Sequence, residues 1–337
     1  MKLLSVNCRG LGSDVKKGWI RQITFSEKPD LVGIQEMKMS NLDHILISRI
    51  WGGDDVDFTI SNAQGSSGGI VTFWDKKSFS CTQVIQEEDV LAVIGSWLNT
   101  DGLVGFVNIC AKFSGAKKRN DLLHHILSDE DVRWCVFGDF NEIRDLSERL
   151  NSEVNYNGMR DFVDFINNFE LIEVPLIGRK FTRISNDGTK FSKLDRFLMT
   201  EDFSSMRKKL KVKALDRGWS DHVPIVLEED KVDFGPIPFK FFDSWLLEDD
   251  LGPILNWKCE KKSDCPDRTF RDKLKGVKTA IKTWSKSKFG SLDSQIEEAR
   301  SNCNRLEKLA ETKRVPRFGS EAVGDAKADA EFKSGTP

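Results

Sequence analysis

Long apolar runs are missing from this chain. None approaches 18 residues, so no ordinary membrane-spanning helix is expected. The N-terminal Met1-Lys2-Leu3-Leu4-Ser5-Val6 is too short an apolar run for a signal peptide and reads as a strand. An excess of one charge is also missing. The 337 residues carry a formal net charge of −2, which excludes a chain that is basic throughout and leaves room only for a local basic patch. Paired cysteines are missing too. Cys8, Cys81, Cys110, Cys135, Cys259, Cys265 and Cys303 are odd in number and scattered, several of them inside apolar runs. That pattern fits buried free thiols in a reducing compartment, so the product is expected inside the cell, in nucleus or cytoplasm, and not secreted. The close pair Cys259 and Cys265 is too widely spaced for a zinc knuckle and has no histidine nearby, and the adjacent His124 and His125 diverge on an expected helix. No glycine-rich loop is followed by Lys-Ser/Thr, and there is no Gly-x-Ser-x-Gly elbow. The only tyrosine, Tyr156, falls in an expected loop.

What is present is a set of strands that stop at polar side chains. A hydrophobic content of 39% supports a sizeable core, in one large or two smaller domains. The run Trp134-Cys135-Val136-Phe137 reads as a buried strand, followed by Gly138-Asp139-Phe140-Asn141. Asp139 and Asn141 lie two positions apart, so an extended backbone points them to one side. Gly138 would admit the close approach of a substrate backbone. An Asx-rich turn is the plainer reading of the same residues. Leu3 to Val6 likewise ends at Asn7, ahead of Cys8-Arg9-Gly10, and Leu31 to Ile34 ends at Gln35-Glu36.

Asp14 caps an expected helix to about Glu27, which Pro29 ends. Val90 to Leu98 and Leu103 to Cys110 read as a hairpin about Asn99-Thr100-Asp101-Gly102. Gly158 to Phe169 is helical. Phe181 begins a further strand, and Leu194 to Met199 alternates so that Asp195 and Phe197 share a face. Val223 to Leu227 is entered through Ser220-Asp221-His222. After Glu229 the composition shifts. Apolar residues recur at alternating spacings of three and four from Phe270 and again from Leu292, with a phase change at Phe289-Gly290-Ser291, which fits two packed helices or one long helix. Lys261 to Lys288 holds ten Lys/Arg against three Asp, a balance of +7. This reads either as a solvated helix face or as a phosphate-binding stretch containing Lys261, Lys262, Lys273 and Lys275. The expected domains are 1–229, a helical basic linker over 230–314, and a disordered tail over 315–337.

Asn7, Glu36, Asp139, Asn141, Asp195, Asp221 and His222 are oxygen ligands with one imidazole, all placed at strand ends. Hard divalent cations take such oxygens. The set suits metal-assisted attack of water on a phosphoester, with a base for the water and an imidazole on the phosphoryl oxygen.

In this order the motifs resemble the exonuclease–endonuclease–phosphatase superfamily, the DNase-I-like fold. Gly138-Asp139-Phe140-Asn141-Glu142-Ile143-Arg144, Pro175 to Thr182 and Ser192-Lys193-Leu194-Asp195-Arg196-Phe197 are similar to the endonuclease domain of plant non-LTR (LINE-type) retrotransposon polyproteins. Phe239 to Trp245 and Trp284 to Gly290 are similar to the linker before their reverse transcriptase, whose own active-site motif this chain lacks. The resemblance covers about residues 2–310. It implies an α/β fold, a four-layered α/β/β/α sandwich of mixed, mostly antiparallel sheets, followed by a helical linker. It also implies a Mg²⁺-dependent DNA-nicking endonuclease, with Mn²⁺ as an alternative ion and with DNA, and element RNA besides, as partners.

Residue by residue, the resemblance gives Glu36 to the metal with Asn7 and Asp221 close by, and Asp139 to the attacking water. Asn141 would hold the phosphate, His222 would contact it, and Asp195 would fix the imidazole and raise its pKa. Arg9 is expected among the DNA contacts. Two positions depart from the family pattern. Cys110 stands where a tyrosine is usual, and Arg183 where an aromatic is usual after Phe181-Thr182. A thiol is a poor donor beside a phenol. Losing one preorganised donor costs on the order of 100- to 1000-fold in rate, so weakened activity is expected. Two other readings stay open: a decayed copy that keeps the fold and binds nucleic acid, and a small-molecule phosphatase.

Overall fold

The protein is described from a computed structural model, over residues 1–39, 42–62, 68–87, 89–111, 116–207, 209–229, 239, 241, 243–255 and 266–312. Its contacts divide the chain into two units, one of Met1–Asp230 together with the segment from Leu306 onward, the other Lys231–Arg305.

The first unit runs β1 (Lys2–Asn7), α1 (Asp14–Glu27), β2 (Leu31–Gln35), α2 (His44–Trp51), β3 (Val56–Ser61), β4 (Ile70–Asp75), β5 (Phe79–Gln86), β6 (Val90–Trp97), β7 (Leu103–Cys110), α3 (Ala116–Leu127) and β8 (Val132–Asp139). It continues with β9 (Arg149–Leu150), α4 (Tyr156–Asn168), β10 (Ile172–Glu173), β11 (Leu176–Ile177), β12 (Arg183–Ile184), β13 (Phe191–Ser192), β14 (Asp195–Met199), α5 (Glu201–Met206), β15 (Leu210–Ala214) and β16 (Ile225–Glu229). One sheet has the order β11-β15-β16-β1-β2-β4-β3 and the other β10-β14-β8-β7-β6-β5, with β12-β13-β9 as a small third sheet. Most neighbours are antiparallel. Helices carry the chain over in the parallel pairs β1–α1–β2 and β7–α3–β8, and the short pair β11–β15 is parallel as well.

The layers follow from where the apolar residues fall. Leu3, Leu31 and Trp74 of the first sheet meet Phe79, Phe106, Phe137 and Phe197 of the second in a core between the sheets. Phe137 and Phe197 stack at 5.4 Å. A Cβ on Gly33 would lie 2.3 Å from the Phe137 ring, so the facing sheets close only around a glycine there. Trp19, Ile20 and Ile23 of α1 and Ile47 of α2 cover the outer face of the first sheet. Leu123 of α3 and Phe162, Phe165 and Ile166 of α4 cover the outer face of the second. The result is the expected four-layered α/β/β/α sandwich.

Two local expectations are corrected. Tyr156 is not in a loop but begins α4, because the Asn155 side chain accepts from the Gly158 N–H and caps the helix. Phe181 does not begin a strand. It is buried with Ile184 and Phe191 beside the small sheet, and pairing starts at Arg183.

In the second unit Leu251 of α6 (Leu251–Leu255) is buried with Ile281 and Trp284 of α7 (Pro266–Thr312), and Trp245 lies edge-on to Trp284 at 5.8 Å. Helix α7 is one continuous helix through Phe289-Gly290-Ser291, not a hairpin. Its last turns belong to the first unit. The buried guanidinium of Arg179 meets Glu307 Oε2 at 2.7 Å and Glu311 Oε1 at 3.6 Å, and Arg217 Nε meets Glu307 Oε1 at 2.7 Å.

Candidate active site

The polar ends of β1, β2, β8 and β14 converge. Asn7 closes β1, and its Nδ2 donates to Asp139 Oδ2 at 2.9 Å and to Glu36 Oε1 at 3.1 Å. Asp139 closes β8 and stands in register with Asp195, the first residue of β14. His222 precedes β16, and its Nδ1 lies 2.9 Å from Asp195 Oδ2, while its Nε2 faces Asp139 Oδ2 at 3.8 Å. Asp139, Asp195 and His222 form a buried acidic–histidine cluster. Asn141 is at the rim. Its backbone N–H donates to Asp139 Oδ1 at 2.9 Å.

Two sequence arguments for this region change. Asn141 is not extended but left-handed, at φ 57°, so the Asx turn rather than strand alternation orients it. Gly138 is required by the neighbouring strand. Its φ is +127°, and a Cβ would lie 2.1 Å from the Ile109 carbonyl oxygen.

Glu36 lies one residue beyond β2 with φ 51°, and Arg9 and Lys38 also have positive φ. Such non-glycine conformations cost of order 1–3 kcal/mol each and persist only where the surroundings hold them. Here the backbone clamps them: Gly10 N donates to Glu36 O, Leu11 N to Met37 O, and Met37 N and Lys38 N to the carbonyls of Gly69 and Gly68. Glu36 has basic neighbours. Lys38 Nζ lies 3.4 Å from its Oε2, and Arg9 Nε 3.8 Å. Arg9 Nη1 and Arg183 Nε also bind Asp221 Oδ2, at 3.0 and 3.2 Å. The other carboxylate oxygen, Asp221 Oδ1, is buried without a hydrogen-bond partner.

Cys110 ends β7 in register with Asp139 and is buried against Ile70 and Leu91. Burial, then the charges of Asp139 and Glu36, hold its thiol well above the ordinary range. Burial also pushes the Asp139 carboxyl up to about 6, against the pull of His222. For His222, burial alone would favour the neutral ring, but the charges of Asp195 and Asp139 and the hydrogen bond to Asp195 outweigh it and raise its pKa to about 9.

Several supports escaped the sequence reading. Ser220 Oγ donates to the Asn7 carbonyl at 2.7 Å and accepts from His222 N. Thr182 Oγ1 accepts from both Leu194 N and Asp195 N at 2.9 Å. Between the sheets, Gln35 Nε2 donates to Asn108 Oδ1 at 2.7 Å, and Asn108 Nδ2 to the Val71 carbonyl. The signal for Asn108 was an amide inside the apolar run Val107-Asn108-Ile109. Arg196, fully buried, binds Glu173 Oε1 at 2.7 Å and Glu148 Oε1 at 3.0 Å. Of the expected DNA contacts, Arg9 is at the site. Lys273 and Lys275 are exposed on α7, and Lys261 and Lys262 lie outside the described residues.

The sequence matches the endonuclease/exonuclease/phosphatase family over residues 4–222. The chain belongs to this family. The match ends at His222, so it contains every strand end that builds the site. Among solved structures, an AP endonuclease from Leishmania major is similar at 16% identity and a TM-score of 0.55, over 67% of this chain and 86% of that one. A 3′ phosphatase from Neisseria, bound to a product DNA hairpin, is similar at 16% identity and a TM-score of 0.55, over 68% of this chain and all of that one. Both likenesses are of fold. The endonuclease domain of TRAS1, a telomere-specific non-LTR retrotransposon, is similar at a TM-score of 0.49 and 14% identity, over 68% of this chain and 97% of that one. No curated protein matches the sequence. Among the described residues no helix is long and apolar enough to cross a membrane.

Proposed function

We propose that this family member is a Mg²⁺-dependent endonuclease that nicks DNA, as part of a retroelement polyprotein. The observation that carries the reading is the buried Asp195–His222 pair facing Asp139, with Asn7 linking Asp139 to Glu36. The donors around Glu36 fit a hard cation. They are oxygens, and Asp221 Oδ1 is buried with nothing to bind. Glu36 and Asp221 would hold the ion, with the Asn7 side-chain oxygen Oδ1 beside them and Mn²⁺ as an alternative occupant. A bound divalent ion supplies charge stabilisation at the phosphoryl group.

The rest belongs to the protein's own groups. Asp139, ionised above about pH 6, accepts a proton from water. The water oxygen adds to phosphorus, and the bond to the deoxyribose oxygen breaks, that oxygen leaving with the electron pair and taking a proton from solvent. His222 is an imidazolium at neutral pH. Its Nδ1–H is held by Asp195, so the Nε2–H can donate to the phosphoryl oxygen as charge builds there. Asn141 at the rim contacts the phosphate. Arg9, half-exposed beside the carboxylates, supports binding of the DNA backbone.

A second reading, a decayed copy that binds nucleic acid without cutting it, is favoured by Arg183. Its guanidinium sits on Asp221 together with that of Arg9, and the two compete with a metal for this carboxylate. A plasmid-nicking assay separates the readings. Relaxation of supercoiled plasmid in Mg²⁺ or Mn²⁺, abolished by EDTA, is expected of the nuclease. A folded chain that binds DNA and relaxes none of it is the decayed copy. Faster turnover of a soluble phosphomonoester than of DNA would favour a phosphatase instead.

A further inference from the structure

Trp219 stands apart from the other tryptophans among the described residues. Trp19, Trp74, Trp97, Trp134 and Trp284 are buried, whereas Trp219 is 60% exposed. It is not at the tip of a loose loop. On its N-terminal side the backbone at Gly218 lies against the Trp19 indole, where a Cβ would fall 2.0 Å from Nε1. On its C-terminal side Ser220 is buried and fastened to the Asn7 carbonyl. Further along, Ile184 N donates to Asp221 O at 2.9 Å and Val223 N to Thr182 O at 2.7 Å. Leu215 N donates to Pro224 O at 2.9 Å and closes the loop at its base. Inward Gly218 and inward Ser220 leave Trp219 only one direction, outward.

An indole held in water keeps its apolar surface hydrated, and no packing of the described residues relieves this. Its surroundings are specific. Asp221 and His222 follow within three residues, and the guanidiniums of Arg9 and Arg183, each 39% exposed, meet at Asp221. Cationic groups that track a phosphate backbone next to an aromatic face are the two parts of a surface on which bases stack.

We propose that the Trp219 indole stacks on a nucleobase of bound DNA, next to the phosphate presented to His222. The inference rests on the reading of this site as a DNA endonuclease and adds a residue that selects the substrate. A face that takes up a base works best where that base is free to leave the helical stack. Nicking should therefore favour easily unstacked pyrimidine–purine steps, mismatches and single-stranded junctions over stiff A-tracts.

The test uses the full chain and a fluorescein-labelled duplex with one central mismatch, in EDTA, so that binding is read without cleavage. Stacking of one base changes affinity by about 5- to 150-fold when the aromatic is removed. Trp219→Ala should raise Kd within that range, and Trp219→Phe should stay within about threefold of the parent. Binding should also quench tryptophan emission in the parent and much less in Trp219→Phe. Circular dichroism and the melting temperature should not move in either variant, because the side chain is exposed. If the parent binds DNA and Trp219→Ala binds it equally well, the inference fails and the nuclease reading stands. If the parent binds no DNA, both fail together.

Discussion

Asp195 Oδ2 accepts from His222 Nδ1 at 2.9 Å with both side chains buried, and this contact favours the protonated ring. The His222 pKa is raised to about 9 and that of Asp139 to about 6. The base must be ionised and the imidazole protonated. Nicking should rise as pH passes about 6 and fall as it passes about 9, a bell with its plateau between. Asp195→Asn removes the charge that holds the proton on His222. The alkaline limb should then move to lower pH, while the acid limb set by Asp139 remains. A kcat/KM profile of the two proteins checks this, and a fixed alkaline limb would count against it.

Glu36 lies between two cations, so its replacement tests the metal rather than the fold. Glu36→Gln keeps the acceptor for Asn7 Nδ2 and loses the charge. It should leave the melting temperature within a few degrees and abolish Mg²⁺-dependent nicking. Arg9→Ala frees both Glu36 and Asp221 of a competing guanidinium, so half-activation should need less Mg²⁺. Nicking by Glu36→Gln at the parent's rate would remove Glu36 from the metal site.

Cys110 is the position at which chemistry and packing pull apart. A phenol there could donate a hydrogen bond to the transition state, and Cys110→Tyr should raise kcat by about 10-fold if that bond is worth roughly 1.4 kcal/mol. The same ring must fit against Ile70 and Leu91, where overpacking costs about 1–3 kcal/mol. A faster but less stable enzyme is therefore expected. No change in kcat with a lowered melting temperature would place the thiol outside the reacting region.

Arg196 and Glu173 carry stability at some distance from the chemistry. Burial works against the ionised Glu173, but Arg196 and Lys193 override it and bring its pKa down to about 2. Because the folded value is depressed, the stabilisation is complete above about pH 4.5 and is lost as pH falls toward 2. Urea unfolding at pH 7 and pH 3 should show a steeper loss for the parent than for Glu173→Gln. Arg196→Met takes the buried guanidinium from Glu173 and Glu148, leaving them Lys193 and Arg144, and should cost up to about 3–5 kcal/mol at pH 7. A cost under about 1 kcal/mol would show that the network is replaceable.

Lys273 and Lys275 are exposed on α7. If the basic stretch reaches DNA phosphates, the double change to Gln should weaken binding and flatten the log–log salt dependence by about 0.9 per lost contact. An unchanged slope would return these lysines to the role of a solvated helix face. The double change tests this more cleanly than truncation after residue 229, which would also strip Glu307 and Glu311 from the buried Arg179.

The strands of this fold were legible because a residue buried on both faces leaves no polar alternation. Leu3 to Val6, Leu31 to Ile34 and Trp134 to Phe137 each announce themselves by a largely apolar run, and each stops within two residues of a side chain that enters the site. Convergence of those ends was not legible from pattern alone. It depends on a register such as Asp195 opposite Asp139, which pairs residues far apart in the chain. The ordered motifs supplied what periodicity could not. Residues whose role is to hold others were the least visible. Ser220 and Thr182 act through single hydroxyls on backbone groups, and such a hydroxyl leaves no spacing to detect. Positive φ at Arg9, Glu36 and Asn141 was hidden for the same reason, since none of the three is glycine.

The ion pairs from Arg179 to Glu307 and Glu311 have a consequence for the order of synthesis. The first unit holds Met1–Asp230 but also takes in residues that follow the whole of Lys231–Arg305. A ribosome that has just finished β16 has made every side chain of the site, while Glu307 and Glu311, which meet the Arg179 guanidinium, are still to come. Those contacts can form only once Lys231–Arg305 has been synthesised, so the first unit receives its last helical turns after the second has been made.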